Sequence, residues 1–287
     1  MRKKRWISVV LTCLVAAYLL TIHGWQKLKL RVDKASLATA VHKTNPAVSI
    51  VDTVFSLNPT PVRAALIGDT SLPVLVLLHG APSSLKGWQE IYLDTQFTRK
   101  FCLLVIDRPG YGYSSFGEPQ LNIATAGSLV NQCIQAFGIR KKVSILGSSY
   151  GGPVAIEAVA QQPTNYHKLI LLSASVKPEA EKTYAISYAM VQPWLQWLFP
   201  TVLVTASKEK LSHAQELAKI NDWQNIRCET IIIHGTADDL IYYSNAVFAH
   251  KMLSKASPNI LVSLPGKGHA LIFSKPTYLK RILRIYL

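Results

Sequence analysis

Three observations predict a doubly wound α/β fold with a mostly parallel sheet. Short apolar runs rich in branched residues alternate with stretches of helical length along the 287-residue chain. The runs are apolar at nearly every position, as expected of parallel strands that are buried on both faces. One interval, of about 55 residues between Leu172 and Thr230, is far longer than a single crossover helix needs and predicts an inserted helical cap.

The predicted elements follow one another in a regular order. Strand-like runs at residues 48–55 and 62–67, joined by Asn58-Pro59-Thr60-Pro61, predict a hairpin at the start of the sheet. Further strands are predicted at residues 74–78, 102–106, 143–146, 169–172, 230–233 and 260–264. Helices are predicted at residues 122–137, 150–161, 244–253 and 276–286. A polar connector is expected over residues 35–46.

The net charge of +15 does not indicate a nucleic-acid partner. Residues 1–34 hold eight Lys and Arg residues against one Asp, and the remaining excess is spread along the chain. Its densest run, residues 140–142, has no basic helical stripe, aromatic RNA-binding pattern or finger-like Cys and His spacing around it. We therefore expect no nucleic-acid partner.

Residues 1–34 have the pattern of a membrane anchor or a signal segment. A basic cluster at residues 2–5 precedes an apolar run, and a helix from Trp6 to Trp25 would measure about 28 Å, near the thickness of a bilayer core. This pattern predicts a single-pass transmembrane helix, with the domain of residues 35–287 outside the cytoplasm. The alternative is a secreted protein whose signal peptide has been cleaved.

A serine lies at the junction of a predicted strand and a predicted helix. The sequence Gly147-Ser148-Ser149-Tyr150-Gly151 follows the strand at residues 143–146 and contains Gly-x-Ser-x-Gly centred on Ser149. Small residues two positions before and two after leave room for the backbone to reverse and expose the hydroxyl. A serine between glycines usually marks only a turn. The assignment of Ser149 as a nucleophile therefore depends on whether the sequence also contains a suitable base and acid.

Suitable partners follow in the order serine, acid, histidine. A serine hydroxyl needs a base to accept its proton and a third group to orient that base. Asp238 and Asp239 follow the next-to-last predicted strand, and His269 follows the last one. These segments leave the carboxyl ends of strands, where open α/β sheets place their sites. Either aspartate is a candidate at this point.

With these motifs the sequence resembles the α/β-hydrolase superfamily, specifically the cap-bearing serine hydrolases of the esterase, lipase and carbon–carbon hydrolase type. The resemblance covers residues 48–287 and adds two segments. His79-Gly80-Ala81-Pro82 is similar to the oxyanion loop of the family, and residues 107–114 are similar to the loop after its next strand. Dehalogenases and epoxide hydrolases of this fold have an aspartate at the elbow, so the sequence does not resemble them.

The resemblance implies a role for each matching residue. Ser149 would be the nucleophile, His269 the general base and then acid, and Asp238 the orienting carboxylate. The Gly-x-x-Asp spacing of the family, counted from Gly235, selects Asp238 over Asp239.

The resemblance also assigns the oxyanion hole and implies chemistry that needs no cofactor. The backbone N–H groups of Ala81 and Tyr150 would stabilise the charge that develops on the substrate carbonyl oxygen. His79 and His234 fit loop positions of the family, so no metal site is expected. The loop that begins with Asp107 is expected to support the end of its strand.

The predicted cap, at about residues 176–226, is rich in large apolar side chains. Because a cap of this family covers the active site, we expect an apolar substrate pocket there. The side chains predicted to contact substrate are Tyr184, Tyr188, Trp194 and Trp197. They could instead pack the cap onto the core or contact lipid.

Together these patterns predict a serine hydrolase that cleaves a small or medium apolar carboxylic ester through an acyl-enzyme. A carbon–carbon bond hydrolase of the same fold is the closest enzymatic alternative. The alternative from another class is a catalytically silent member that binds a ligand under its cap, against which the complete set of Ser, Asp and His argues.

Overall fold

The computed structural model describes residues 2–28, 30–57 and 59–287, which contain one eight-stranded sheet. In chain order the strands are β1 (Ile50–Leu57), β2 (Thr60–Ile67), β3 (Val74–Leu78), β4 (Cys102–Ile106), β5 (Val143–Ser148), β6 (Tyr166–Leu172), β7 (Glu229–Gly235) and β8 (Asn259–Leu264). Their order across the sheet is β1-β2-β4-β3-β5-β6-β7-β8. The β1–β2 and β2–β4 pairs are antiparallel and the rest are parallel, which confirms the predicted mostly parallel α/β sheet.

Several helices of the described residues pack on the two faces of this sheet. The helices of these residues are α1 (Arg2–Leu28), α2 (Lys34–Thr44), α3 (Gln89–Tyr92), α4 (Thr95–Thr98), α5 (Ile123–Ala136), α6 (Gly151–Gln161), α7 (Ala185–Met190), α8 (Thr201–Leu217), α9 (Ser244–Met252), α10 (Leu271–Ser274) and α11 (Pro276–Tyr286). Short 3-10 helices lie at Leu85–Trp88, Pro163–Asn165, Gln196–Leu198 and Asp222–Asn225. The predicted helix at residues 276–286 has the observed bounds of α11.

The sheet divides the hydrophobic core into two layers because successive side chains of a strand point to opposite faces. In β3, Val74, Val76 and Leu78 belong to the core layer that contains α5, α6 and α9, whereas Leu75 and Leu77 belong to the layer that contains α2, α3 and α11. All five side chains are buried. Strands covered on both faces therefore lack any polar alternation, which is why the apolar runs were readable in the sequence.

Residues 34–44 form a helix, so the polar connector predicted over residues 35–46 is wrong. Asp33 caps this helix, and its carboxylate accepts a hydrogen bond from the Ser36 amide at 2.8 Å. Leu37 and Val41 are one turn apart on the helix and are almost fully buried. Two apolar residues at this spacing are enough to attach a short helix to the core, although the segment is polar on average.

The transmembrane prediction for the first segment is not supported. No helix in the described part of the chain is long and apolar enough to cross a membrane. Residues 2–28 form α1, in which Trp6 and Leu11 are exposed. The side chain of Trp25 and residue Asn58, to which predictions were attached, lie outside what the structure describes. The location of the domain outside the cytoplasm stays a prediction.

The long interval between β6 and β7 contains α7, the 3-10 helix Gln196–Leu198 and α8. Side chains of α7 and α8 line a cavity together with residues that follow β3 and β5. The inserted segment therefore lies over the carboxyl edge of the sheet, where the predicted site residues meet.

Candidate active site

Ser149 occupies a strained turn between β5 and α6. Its φ angle is +52°, in the left-handed region that L-residues with side chains rarely adopt and that costs about 1–3 kcal/mol. Two hydrogen bonds hold the turn: the Ser149 amide donates to the Leu172 carbonyl at 3.0 Å, and the Gly152 amide donates to the Ser149 carbonyl at 2.9 Å. Pairing with the end of β6 thus fixes the position of the serine.

The glycines that flank Ser149 are required by close backbone contacts. A Cβ atom on Gly147 would lie 2.3 Å from the Gly151 carbonyl oxygen. A Cβ atom on Gly151 would lie 2.6 Å from the Leu78 carbonyl oxygen, at the end of the neighbouring strand β3. The Gly-x-Ser-x-Gly pattern therefore has a steric cause, because any side chain at either position would open the turn.

The acid and the histidine lie on two loops that pack against each other. A Cβ atom on Gly235 would lie 2.1 Å from the Lys267 carbonyl oxygen, and the Ala237 amide donates to that same oxygen at 3.0 Å. This contact brings His269 to the aspartate loop, where its Nδ1 lies 2.8 Å from Oδ2 of Asp238. Because a carboxylate only accepts, Nδ1 carries the proton and Nε2 of the neutral ring is left as a base.

The Asp238 carboxyl stays ionised although it is buried. Burial would raise the pKa of its carboxyl, but hydrogen bonds from His234 and His269 outweigh burial and hold that pKa well below its usual value. The Ile241 amide lowers it further by donating to Oδ1 at 2.8 Å. Asp239 is exposed on the same loop, and it is Asp238 that contacts the imidazole.

The hydroxyl of Ser149 and the imidazole of His269 are not joined by a hydrogen bond. Within the described part of the chain, the Ser149 hydroxyl has no hydrogen-bond partner. Hydrogen bonds between catalytic groups are often long and tighten only in the complex with substrate. The structure therefore forms the Asp238–His269 pair and presents Ser149 separately, as a half-buried side chain in the cavity wall.

The two backbone amides predicted to form the oxyanion hole flank Ser149. Neither the Ala81 nor the Tyr150 N–H donates a hydrogen bond within residues 59–287, and both residues line the same cavity as Ser149. The loop that carries Ala81 lies directly against the serine, since a Cβ atom on Gly80 would be 2.8 Å from the Ser149 Cβ. Two free donors therefore lie beside the hydroxyl, as oxyanion stabilisation requires.

His79 and Arg108 hold the loop that carries Ala81. The Arg108 amide donates to Nε2 of His79 at 2.9 Å, so Nδ1 of that ring carries the proton and donates to the Gly80 carbonyl at 2.7 Å. Burial and the Arg108 charge lower the pKa of His79 well below its usual value, which keeps the ring neutral in this role. The Arg108 Nε also donates to the His79 carbonyl at 2.8 Å.

Glu209, on cap helix α8, is a partner of this network that sequence reasoning missed. Its Oε1 lies 2.7 Å from Nη1 of Arg108, and its Oε2 accepts a hydrogen bond from the Tyr111 hydroxyl at 2.7 Å. Both charged side chains are buried. The loop after β4 was expected to support a strand end. Through Arg108 it also connects the cap to the predicted oxyanion loop.

A cavity of about 280 Å³ lies between the cap and Ser149. Most of its wall is apolar and includes Ile186, Met190 and Leu203 of the cap. Of the four side chains predicted to contact substrate, Tyr184 lines this cavity. Tyr188, Trp194 and Trp197 are not part of its wall and are more than half exposed to solvent. The large apolar residues of the predicted cap did not indicate which way each side chain points.

No candidate metal centre is evident in the parts of the chain that the structure describes, where no three His, Cys, Asp or Glu side chains are grouped suitably. His234 is fully buried, and its Nε2 lies 2.8 Å from the Ile241 carbonyl and 3.4 Å from Oδ2 of Asp238. Its position is thus that of a support for the aspartate loop.

Comparisons with known proteins agree with this geometry. The family model of the alpha/beta hydrolase fold matches residues 73–199. Over 114 residues the chain is 35% identical to a pimeloyl-[acyl-carrier protein] methyl ester esterase of Vibrio parahaemolyticus, a match that covers 39% of this chain and 41% of that relative. The chain thus spans less than half the length of that curated relative.

Solved structures match over nearly the whole chain. A membrane phospholipase A has a TM-score of 0.68 at 18% identity and covers 99% of this chain and 97% of its own. An esterase from Rhodococcus sp. has a TM-score of 0.63 at 21% identity and covers 83% of this chain and 98% of its own. Together with the family model, these matches show that the chain has the alpha/beta hydrolase fold.

Proposed function

We propose that this protein is a serine hydrolase that cleaves carboxylic esters through an acyl-enzyme. The observation that carries the proposal is the combination of the hydrogen-bonded Asp238–His269 pair with a strained serine beside two free amides. Each part matches a need of acyl transfer: a base with a fixed tautomer, a nucleophile in the wall of a cavity and donors for a developing oxyanion.

In the first half of the reaction, the Ser149 hydroxyl attacks the ester carbonyl carbon. Nε2 of His269 accepts the hydroxyl proton, and the carboxylate of Asp238 stabilises the imidazolium that forms. The carbonyl oxygen becomes an oxyanion and accepts hydrogen bonds from the Ala81 and Tyr150 amides. Collapse of this intermediate breaks the bond to the alcohol oxygen, which takes the proton from His269 and leaves.

In the second half, water takes the place of the serine hydroxyl. His269 accepts a proton from the water as it attacks the acyl carbonyl, and the same two amides stabilise the second oxyanion. The bond to Ser149 then breaks, the serine oxygen recovers the proton, and the acid product leaves. The stable tautomer of His269, set by Asp238, allows the ring to act as base and acid in turn.

The cavity supports a small or medium acyl group with an apolar surface. Its volume of about 280 Å³ is at the lower end of the range for small-molecule sites. The relative from Vibrio parahaemolyticus is named for a methyl ester, and we extend only that bond class to this chain. The finer assignment as a carboxylesterase with an apolar substrate is part of the proposal.

Covalent labelling with a fluorophosphonate probe tests the proposal. Such probes react with a serine only when it is activated as a nucleophile. We expect wild-type protein to be labelled and Ser149→Ala to be unlabelled. Ser148→Ala is the matched control and should be labelled normally, because Ser148 is the last residue of β5 and precedes the turn. Absence of labelling in folded wild-type protein would favour a silent ligand-binding member of the fold.

A further inference from the structure

A polar pair of side chains lies in the mostly apolar wall of the cavity. Ser175 follows β6, and His213 lies on the buried face of cap helix α8. The Ser175 Oγ and Nε2 of His213 are 2.8 Å apart, and each residue is only 4% exposed. Both residues line the same cavity as Ser149, although neither takes part in the proposed reaction.

One ring nitrogen of His213 is left without a partner. Its Nδ1 is buried and makes no hydrogen bond to any residue that the structure describes. Buried polar atoms are nearly always paired, so an unpaired one in a cavity wall needs an explanation. His79 shows the usual structural arrangement, in which both ring nitrogens have protein partners. His234 also has an unpaired Nδ1, but this ring does not line the cavity.

The His213 ring is uncharged at neutral pH. Burial and then the charge of Lys210 lower the pKa of His213 to about 3; the hydrogen bond with Ser175 opposes this shift, and the charge of Arg108 adds a smaller lowering. A neutral ring can hold its proton on either nitrogen, and the Ser175 hydroxyl can rotate to donate or accept accordingly. The pair can therefore meet either a hydrogen-bond donor or an acceptor without an ionic partner.

The pair is close to the reacting centre. The Ser175 amide donates to the Ser149 carbonyl at 3.2 Å, so the two serines are fixed relative to each other. The His213 ring stacks on Tyr150, whose amide flanks the nucleophile, with ring centroids 4.8 Å apart and planes inclined by 33°. A group that hydrogen-bonds to the Ser175–His213 pair would thus belong to the part of the substrate near the scissile carbonyl.

We propose that Ser175 and His213 form a recognition site for an oxygen function, an oxo or hydroxyl group, carried by the acyl chain of the ester. This inference rests on the proposed function, because it assigns the polar group to the substrate of Ser149. A purely alkyl chain would offer the Ser175–His213 pair no hydrogen-bond partner in the complex. A site built to hydrogen-bond a substrate oxygen disfavours an analogue that lacks it, because the buried polar groups then stay unpaired.

The test compares three esters of equal chain length: ethyl hexanoate, ethyl 3-oxohexanoate and ethyl 3-hydroxyhexanoate. We expect kcat/KM of the wild type to be at least about tenfold higher for one oxygenated ester than for the alkyl ester. His213→Phe keeps a ring but removes both nitrogens, so it should abolish this preference while ethyl hexanoate is still hydrolysed. His167→Gln, at an exposed histidine, is the matched control and should keep it.

Ser175→Ala is a second test of the site in case His213→Phe does not fold. It removes only the hydroxyl and should weaken the same preference for oxygenated esters. Hydrolysis of all three esters without a preference for oxygen would overturn the inference and leave the proposed function intact. A preference that survives His213→Phe and Ser175→Ala would also overturn it. If the wild type hydrolyses none of the esters and is not labelled by fluorophosphonate, the proposed function itself fails.

Discussion

At the scale of single residues, Asp238 and Asp239 differ sharply in their surroundings although they are adjacent in the chain. Asp238 is buried and bonded to His269, whereas Asp239, the next residue, is exposed. The pKa of the Asp238 carboxyl is lowered despite its burial, so this carboxylate is ionised when the imidazole needs a counter-charge. One step along the loop thus separates a group that orients the base from one in contact with solvent.

This difference predicts unequal effects of two conservative substitutions. Asp238→Asn should lower kcat for ester hydrolysis by about 10⁴-fold, because the amide favours the wrong tautomer of His269. Asp239→Asn should change kcat by less than about twofold, in keeping with a surface substitution. Steady-state kinetics of both variants on one ester provides the measurement. Similar losses in the two variants would contradict the assignment.

Burial of the uncharged His213 ring predicts a specific pH dependence of stability. Below pH 6.5 the unfolded chain protonates this histidine, whereas the folded protein, with a pKa of about 3, does not. The unfolded state then binds more protons, so the free energy of unfolding falls as pH decreases from about 6.5 towards 3. The contribution of His213 to this loss between pH 7 and pH 5 is about 2 kcal/mol.

Urea unfolding at pH 7 and pH 5 measures this contribution. His213→Gln should lose about 2 kcal/mol less on acidification than the wild type. His79 acts in the same direction in both proteins, since its pKa is also lowered, and therefore cancels in the comparison. The exposed variant His167→Gln should behave as wild type. An unchanged pH slope in His213→Gln would show that the folded state protonates this ring as readily as the unfolded chain does.

At the scale of elements, the cap and the loop that carries Ala81 are connected by a buried ion pair. Arg108 donates to the carbonyl of His79 and is bound in turn by Glu209 of α8. Removing one partner of a buried pair leaves the other charge uncompensated, at a cost of about 3–5 kcal/mol. Replacing both partners by apolar side chains of similar volume is often neutral for stability.

Two variants separate the contribution of this pair to stability from its effect on the reaction. Glu209→Ala should lower the free energy of unfolding by about 3–5 kcal/mol, whereas the double variant Arg108→Met with Glu209→Met should recover most of that loss. The double variant should still have a kcat about 10²-fold below wild type, because the tether to the His79 carbonyl is gone and the loop no longer aligns the Ala81 amide.

An exposed side chain on the same helix provides the control for the cap variants. Gln215 of α8 is exposed, and Gln215→Ala should change the free energy of unfolding by no more than about 0.5 kcal/mol. Urea unfolding and steady-state kinetics on one ester measure both effects. A double variant with wild-type kcat would show that the ion pair only stabilises the cap.

At the scale of the whole molecule, α2 belongs to the core of the domain. Its Leu37 and Val41 are almost fully buried in the layer that contains α3 and α11. Burying such a side chain contributes about 1.5–3 kcal/mol. A chain that begins at residue 46 should therefore be less stable by about 3–6 kcal/mol than one that begins at residue 30. Urea unfolding of the two proteins measures the difference, and equal stabilities would contradict this account of α2.

The parts of the fold that sequence reasoning predicted are those determined by local patterns. The runs at residues 74–78 and 102–106 are strands with the predicted bounds, because a strand buried on both faces must be apolar throughout. The polar connector of residues 35–46 was wrong, because two apolar positions are too few to mark a helix in the sequence. The spacing from Gly235 selected Asp238, the aspartate that contacts His269.

The cap residues were harder to predict, because their roles depend on partners far along the chain. Glu209 meets Arg108 across about a hundred residues, and no local pattern reports that contact. A signal was nevertheless present in α8. Its buried face repeats every four residues and carries polar side chains at three successive positions before an apolar one: Thr205, Glu209, His213 and Leu217. Polar residues on a buried stripe indicate buried partners.

Identification of the residue that carries the acyl group tests the central claim most directly. The protein is mixed with a 4-nitrophenyl ester, quenched in acid during turnover, digested, and mapped by mass spectrometry. We expect an added mass equal to the acyl group on the peptide that contains Ser149, and no such adduct in Ser149→Ala. Continued hydrolysis by Ser149→Ala, or an acyl group carried by another residue, would contradict the account.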